Sequence, residues 1–470
     1  MALNTKNRAC GSGEKNMENQ LEKKYGLVTA VCMVVGIVIG SGVFFKAETV
    51  LNKTGGNMPL GILAWAIVGA IMIICSYVFA IMATRYEKVN GLVDYAEATV
   101  GRRYAYNVGW FMATLYTPAL VSVLSWISAR YFCVLLGWDI TGGACMTIAG
   151  FLLCAVHMLN ALAPRLSGKF QVSTTFIKMV PLALMAVVGT IVGIGNGRMA
   201  ENIATMTTAT ISTGEGLMAS TVAVAFAYEG WILATTINAE LKDAKKNLPR
   251  ALVIGSFIVV GTYILYYIGL NGAVTTEELM ASGEAAAKMA FQRVFGQAAG
   301  TVVFVLIVIS CLGTLNGLTL SCSRGFYALA VRNEGPCPAM FSRVDPVTNM
   351  STNSAVASLG LSAFWLLYFY GANLGGGWFG PFCFDSSELP IITLYGMYVP
   401  MFIQLMRKER DLPVFKRFVM PCLGLCGCAF MVYAAFAGYG MTVCYYLIVY
   451  VVFMVVGNFF YHQPAGKKKI

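Results

Sequence analysis

Three places in this sequence hold residue types whose spacing could do chemistry: two glycine-interrupted apolar stretches and one lysine. The first stretch reads Gly36-Ile37-Val38-Ile39-Gly40-Ser41-Gly42-Val43-Phe44 and sits inside an apolar run from about Tyr25 to Val50. Gly40-Ser41-Gly42 gives up helix propensity at its centre. In a bilayer, non-helical backbone is tolerated only where protein or a watery cavity satisfies its N–H and C=O groups. The stretch therefore reads as a broken helix built around a ligand, and close helix packing is the plainer use of such small residues. The second stretch, Ala223-Val224-Ala225-Phe226-Ala227-Tyr228-Glu229-Gly230-Trp231, pairs a glycine interruption with a carboxylate. An ionisable residue inside a span is costly and points to function. The lysine is Lys178, in Ile177-Lys178-Met179-Val180-Pro181, about eight residues into an apolar run. That is too deep for easy snorkelling.

The elements that must position these residues follow from composition. The chain has 470 residues, 58% hydrophobic and 12% charged, against roughly 25% charged in soluble proteins. Continuous apolar runs of membrane-spanning length recur throughout, so the fold class is an all-α polytopic membrane protein and not a β-barrel of short alternating segments. Twelve spans are expected, at 25–50, 59–84, 105–137, 141–163, 170–194, 214–239, 250–271, 297–330, 353–373, 386–406, 417–438 and 441–461. The two interrupted stretches then fall in spans one and six. That placement suits transporters built from inverted repeats with discontinuous helices at matching positions. No cleavable signal peptide is evident. Residues 1–20 read as a disordered tail and 464–470 as a basic tail.

The net charge of +11 lies mostly in alternate loops. Lys6, Arg8, Lys15, Lys23 and Lys24 precede span one; Arg85, Lys88, Arg102 and Arg103 follow span two; Arg165 and Lys169 follow span four. Lys242, Lys245, Lys246 and Arg250 follow span six, Arg324, Arg332 and Arg343 lie around the end of span eight, and Arg407, Lys408, Arg410, Lys416 and Arg417 follow span ten. By the positive-inside rule both termini are cytoplasmic. Basic residues scattered through short loops exclude a nucleic-acid surface. Fourteen cysteines and two histidines, His157 and His462, give no metal-ligand grouping, and Cys422, Cys426 and Cys428 have no histidine near them. No phosphate-binding loop and no catalytic grouping is present, so neither an ATP-driven pump nor an enzyme is indicated. No cofactor is expected.

Gly40-Ser41-Gly42-Val43-Phe44 and Phe226-Ala227-Tyr228-Glu229-Gly230-Trp231 closely resemble the first- and sixth-helix signatures of amino acid–polyamine–organocation transporters. Glu240-Leu241-Lys242-Asp243 with Asn247-Leu248-Pro249-Arg250-Ala251, Ser310 to Gly317 with Ser323-Arg324, and Lys178 resemble further segments of the same superfamily, in order. Within it the chain looks most like a prokaryotic L-type amino acid transporter. The resemblance implies a leucine-transporter-type five-plus-five inverted repeat over 21–200 and 201–410, with two further helices over 411–463. It also implies a substrate held at mid-membrane by Val38, Ile39, Gly40, Ser41, Gly42, Phe226, Ala227, Tyr228, Glu229 and Gly230.

Physical chemistry agrees with that placement. N–H groups freed after Gly40-Ser41-Gly42 carry partial positive charge and can hold a carboxylate. Carbonyls freed at Val38, Ile39, Phe226 and Ala227 can hold an ammonium. By similarity, Lys178 approaches Gly36–Ile39 and Thr314 and does the work of a sodium ion; packing at the cytoplasmic interface is its plainer use. Glu229 stays open among four readings: selecting a cationic side chain, pairing with a lysine such as Lys178, carrying a proton, or capping the unwound turn. Phe226 and Trp231 read as aromatic gates or as packing residues, and Ser310 and Asn316 as interhelical hydrogen bonders. Asp385, Ser386, Ser387 and Glu388 read as an outer vestibule or an exposed loop end. Glu277, Glu278 and Glu284, with Lys288 and Arg293, suggest a short amphipathic helix on the far side.

The expected function is a sodium-independent secondary transporter of neutral L-amino acids in the plasma membrane, by exchange or facilitated diffusion. A proton-coupled carrier of cationic amino acids or polyamines is the alternative, and an amino acid sensor that does not transport is a second. The expected partners are an amino acid and the lipid bilayer, with no nucleic acid. No obligate glycoprotein subunit is expected, since Cys145 falls within span four.

Overall fold

A computed structural model describes residues 26–86, 91–204, 213–283 and 285–461, without the side chains of 236–240. The expected tails, Lys88, Glu284 and the Glu240 side chain lie outside the described residues. The described residues form helices and no strands.

The first span is a bent pair, α1 (Leu27–Val38) and α2 (Ser41–Lys53), meeting at 44°. After it come α3 (Met58–Arg85), a short helix α4 (Leu92–Thr99), α5 (Arg102–Leu136), α6 (Gly143–Leu162), α7 (Pro164–Gly195) and α8 (Thr213–Ala227). A tight helical turn over Trp231–Glu240 continues α8 beyond its break. The remaining spans are α9 (Ala244–Ala273), α10 (Gln297–Ala330), α11 (Thr352–Leu374), α12 (Leu389–Lys408), α13 (Phe415–Tyr439) and α14 (Met441–Phe459). Among the described residues eleven helices are long and apolar enough to cross a membrane, and the bent pair makes twelve. All twelve expected spans are present. The fifth begins at Pro164 rather than near residue 170, so Lys178 lies mid-helix and deeper than expected.

Local sequence sets these ends. Asn57 accepts the Leu60 N–H at 2.9 Å, and Pro59 sits in the first turn of α3, where its missing N–H has no partner to lose. Gly137 closes α5 in the left-handed conformation. Helices α3 and α9 pack along each other, α9 also against α1 and α3 also against α8, and these elements form the buried centre. The short helix on the far side exists as Thr276–Ser282, with Thr275 and Glu278 in a capping box. Arg293 and the Thr275 groups hydrogen-bond the exposed Glu278 carboxylate and hold it low, at about 2.

The ends of the spans that carry the basic loops are tied by ion pairs. Arg332 pairs with Asp94 on α4, Arg102 with Glu334 at 2.7 Å, and Arg85 with Glu409 at 3.5 Å and with Asp411.

Candidate functional site

Helix α1 ends at Val38, Ile39 is extended, and α2 restarts at Ser41. Helix α8 ends at Ala227, and Gly230 takes φ +102°, a conformation L side chains rarely adopt. The two breaks touch. A Cβ on Gly42 would stand 2.7 Å from the Ala227 Cα, inside any real contact distance. A Cβ on Gly40 would collide with the Thr314 side chain on α10. Glycine at 40 and 42 is therefore what allows α2, α8 and α10 to converge. Gly42→Ala should force the breaks apart: uptake into proteoliposomes should fall at least tenfold while the protein still purifies as a monodisperse species. Wild-type uptake by this variant would show that the contact is not needed.

The convergence leaves a narrow cavity lined by Ile37, Val38, Gly40, Ser41, Gly42, Leu120, Leu124, Phe226, Ala227, Glu229, Gly230, Thr314 and Leu318. Its volume is about 20 Å³, room for a water but not for an amino acid. One wall is the start of α2. Its cap position is a glycine without a capping side chain, so the first N–H groups face the cavity with their partial positive charge. Ser41 adds a fully buried hydroxyl that has no hydrogen-bond partner among the described residues. The opposite walls are the apolar Leu120, Leu124 and Leu318.

Behind the break lies Lys178, fully buried. Its ammonium donates to Gly36 O at 2.7 Å, Ile39 O at 2.6 Å and Thr314 Oγ1 at 3.3 Å. It thus caps the last carbonyls of α1, where helix polarity favours a cation, and ties them to α10. The Tyr263 hydroxyl donates to Val38 O at 2.9 Å. The Val38 and Ile39 carbonyls, expected to be free for a ligand ammonium, each already accept one donor. A ligand there must share them or use other acceptors.

Glu229 lines the cavity, buried, and its Oε1 accepts the Tyr116 hydroxyl. It is not paired with Lys178, which corrects that reading, because the lysine reaches α1 carbonyls on the other side of the break. Tyr116 ends a π-turn over Met112–Tyr116 in α5, a distortion that re-aims side chains at functional places. The residue types around Tyr116 gave no sign of this; a hydroxyl within apolar α5 was the only cue.

Phe226 borders the cavity, whereas Tyr228 and Trp231 do not. Tyr228 packs on Trp65 and Tyr263 and donates to Trp65 O at 3.2 Å. Trp231 is buried against Phe79 and Tyr398. Gating by Trp231 therefore gives way to packing. Ser310 is buried with its hydroxyl unpartnered, and its carbonyl accepts Thr314 Oγ1 at 3.3 Å. Asn316 joins Asn160 at 3.1 Å, Ser167 at 3.0 Å and Gln171 at 3.2 Å in a knot between α6, α7 and α10.

Toward the end away from the basic loops, Lys46 on α2 stands 5.0 Å over the Phe226 ring and pairs with Glu388 at 2.5 Å. Lys53, two turns on, lies 3.7 Å from the same carboxylate. Asp385 Oδ1 accepts the backbone N–H groups of Ser387 at 2.7 Å and Glu388 at 3.1 Å, fixing the start of α12. Glu388 is 1% exposed, so the exposed-loop reading of Asp385–Glu388 is overturned. This ion pair lies beside Phe226, which borders the cavity, and the sequence reading overlooked Lys46. The available signal was two lysines seven apart on one face of an apolar half-helix. Among the described residues no group of three or more His, Cys, Asp or Glu is placed to hold a metal.

Membrane-crossing helices that enclose a polar-ended cavity at two paired helix breaks define a multi-pass carrier rather than a pore. The chain belongs to the amino acid permease family, of the amino acid–polyamine–organocation superfamily: the "Amino acid permease" model matches residues 25–462. It is similar to the serine/threonine exchanger SteT of Bacillus subtilis (strain 168), 31% identical over 329 residues that cover 70% of this chain and 73% of that protein. It is also similar to the b(0,+)-type amino acid transporter 1 of Mus musculus, 27% identical over 410 residues, 82% of this chain and 80% of that protein. The cystine/glutamate transporter of Homo sapiens is 25% identical over 327 residues, 69% of this chain and 64% of that protein.

Proposed function

We propose that the protein is a sodium-independent secondary transporter that exchanges neutral L-amino acids, or lets them diffuse, by alternating access about the two breaks. The observation that carries this reading is the pairing, in one cavity, of an uncapped α2 N-terminus and the unpartnered Ser41 hydroxyl with apolar walls at Leu120, Leu124 and Leu318. The first can receive an α-carboxylate; the second suit a small uncharged side chain. Lys178 on the α1 carbonyls supplies a fixed positive charge that makes sodium unnecessary. Similarity to a serine/threonine exchanger supports exchange of small neutral substrates.

Placement of the breaks in spans one and six supports a five-plus-five inverted repeat over 21–200 and 201–410, followed by α13 and α14. Alternate basic loops support cytoplasmic termini and a plasma-membrane location. Cys145 is buried within α6, which supports a transporter that works without a disulfide-linked subunit.

Proton-coupled carriage of cationic substrates is a second reading, and the observation that favours it is Glu229 in the cavity wall. Uptake of labelled amino acids into proteoliposomes separates the two. Exchange predicts uptake at least tenfold faster into vesicles preloaded with unlabelled amino acid, and unchanged when sodium is omitted. Fast uptake into empty vesicles that follows an imposed pH gradient would select the proton-coupled reading. Binding of amino acids with no flux under either condition would select a sensor.

A further inference from the structure

A second cavity is larger than the one at the breaks. It has a volume of about 360 Å³ and lies between α5, α12, α13 and α14, lined among others by Tyr104, Thr393, Gly396, Val432, Tyr446 and Met454. That volume is in the range of ligand sites. Three of its hydroxyls are spoken for within the protein: Tyr104 donates to Met397 O at 2.6 Å, and Thr393 and Tyr446 share a 2.6 Å hydrogen bond. Apart from the Tyr450 hydroxyl and the Asn107 amide, the rest of the lining is hydrocarbon. A Cβ added at Gly396 would meet nothing within 4 Å, so the space continues up to the α12 backbone.

The cavity's shape and setting indicate what fills it. Along α14 it runs from Val443 to Met454, about 16 Å at a rise of 1.5 Å per residue. It starts near the end of α14 away from the basic loops and runs along the helix. The hydrocarbon core of a bilayer is about 30 Å thick, so the groove is as long as one leaflet is deep. It is bordered by α14, of whose most apolar window only 17% is buried inside the protein, and by the half-exposed Phe436 on α13. Both face the region where lipid is the solvent.

We propose that this groove is a binding site for one acyl chain of a bilayer phospholipid, entering between α13 and α14. Leu389 lines the groove and is the next residue after Glu388, whose carboxylate pairs with Lys46 beside Phe226. The acyl chain therefore supports the start of α12 next to that ion pair.

The test is photo-crosslinking in vesicles of phosphatidylcholine carrying a diazirine midway along one acyl chain, with the labelled peptides mapped by mass spectrometry. In the wild-type protein, peptides spanning 389–397 and 432–454 should be labelled at least fivefold more than the lipid-facing Phe151 and Phe176 peptides. Gly396→Phe, which fills the groove, should remove that excess and leave the labelling at Phe151 and Phe176 unchanged. Val432→Trp fills the same space from α13 and serves if the first variant is unstable. Equal labelling of groove and remote peptides in the wild type would overturn the proposal. So would groove peptides labelled less than the remote ones in vesicles where a bifunctional cross-linker joins two copies, since a second copy would then cover the groove.

Discussion

Uptake by Lys178→Ala should fall about 100-fold, with sodium still irrelevant to the wild type and little change in the thermal midpoint of the variant. The ammonium makes two short hydrogen bonds to the α1 carbonyls and a longer one to Thr314. Hydrogen bonds involving a charged group contribute about 1.5–3 kcal/mol each. Losing the two short ones at the low end of that range amounts to about 3 kcal/mol, and 1.4 kcal/mol corresponds to tenfold. The effect should fall on transport rather than folding, because burying the lysine carries a desolvation cost that its removal relieves. Lys178→Met, which keeps the bulk and removes the charge, should behave like the alanine variant. Uptake by both variants within twofold of wild type would remove the cation-substitute role and leave Lys178 as a packing residue.

Glu388→Gln should be nearly as damaging, for a different reason. Removing one partner of a buried ion pair leaves the other charge buried alone and costs about 3–5 kcal/mol. Here the stranded charge is Lys46, itself buried beside Phe45 and Phe226. The single variant should melt lower and lose more than tenfold of its uptake. Adding Lys46→Met should restore much of the thermal stability, because no lone charge remains, but not the uptake, because α2 and α12 still lack their tie. A double variant as unstable as the single one, or a single variant that transports normally, would count against the pair as the tie between α2 and α12.

The membrane fold was legible because a helix across a bilayer needs about 20 apolar residues in a row. The contacts of Lys178 were anticipated through resemblance, and its partners are backbone carbonyls that composition cannot display. The Lys46–Glu388 pair was out of reach, since 342 residues separate its members and only the packing of α2 and α12 on α8 brings them together. Glu229 was visible as an intramembrane carboxylate. Its partner Tyr116 lies 113 residues away on α5 and depends on a π-turn that no spacing rule signals. Trp231 illustrates the opposite error: a residue adjacent to the break in sequence packs away from the cavity against Phe79 and Tyr398, after Gly230 takes its left-handed φ.

The narrowness of the space between the breaks bears on selectivity. Its walls enclose about 20 Å³, the size of one water. On the proposed reading, an amino acid seated there wedges α2, α8 and α10 apart. Part of each substrate's binding energy goes into that wedging. Larger side chains should thus show weaker apparent affinity than smaller ones.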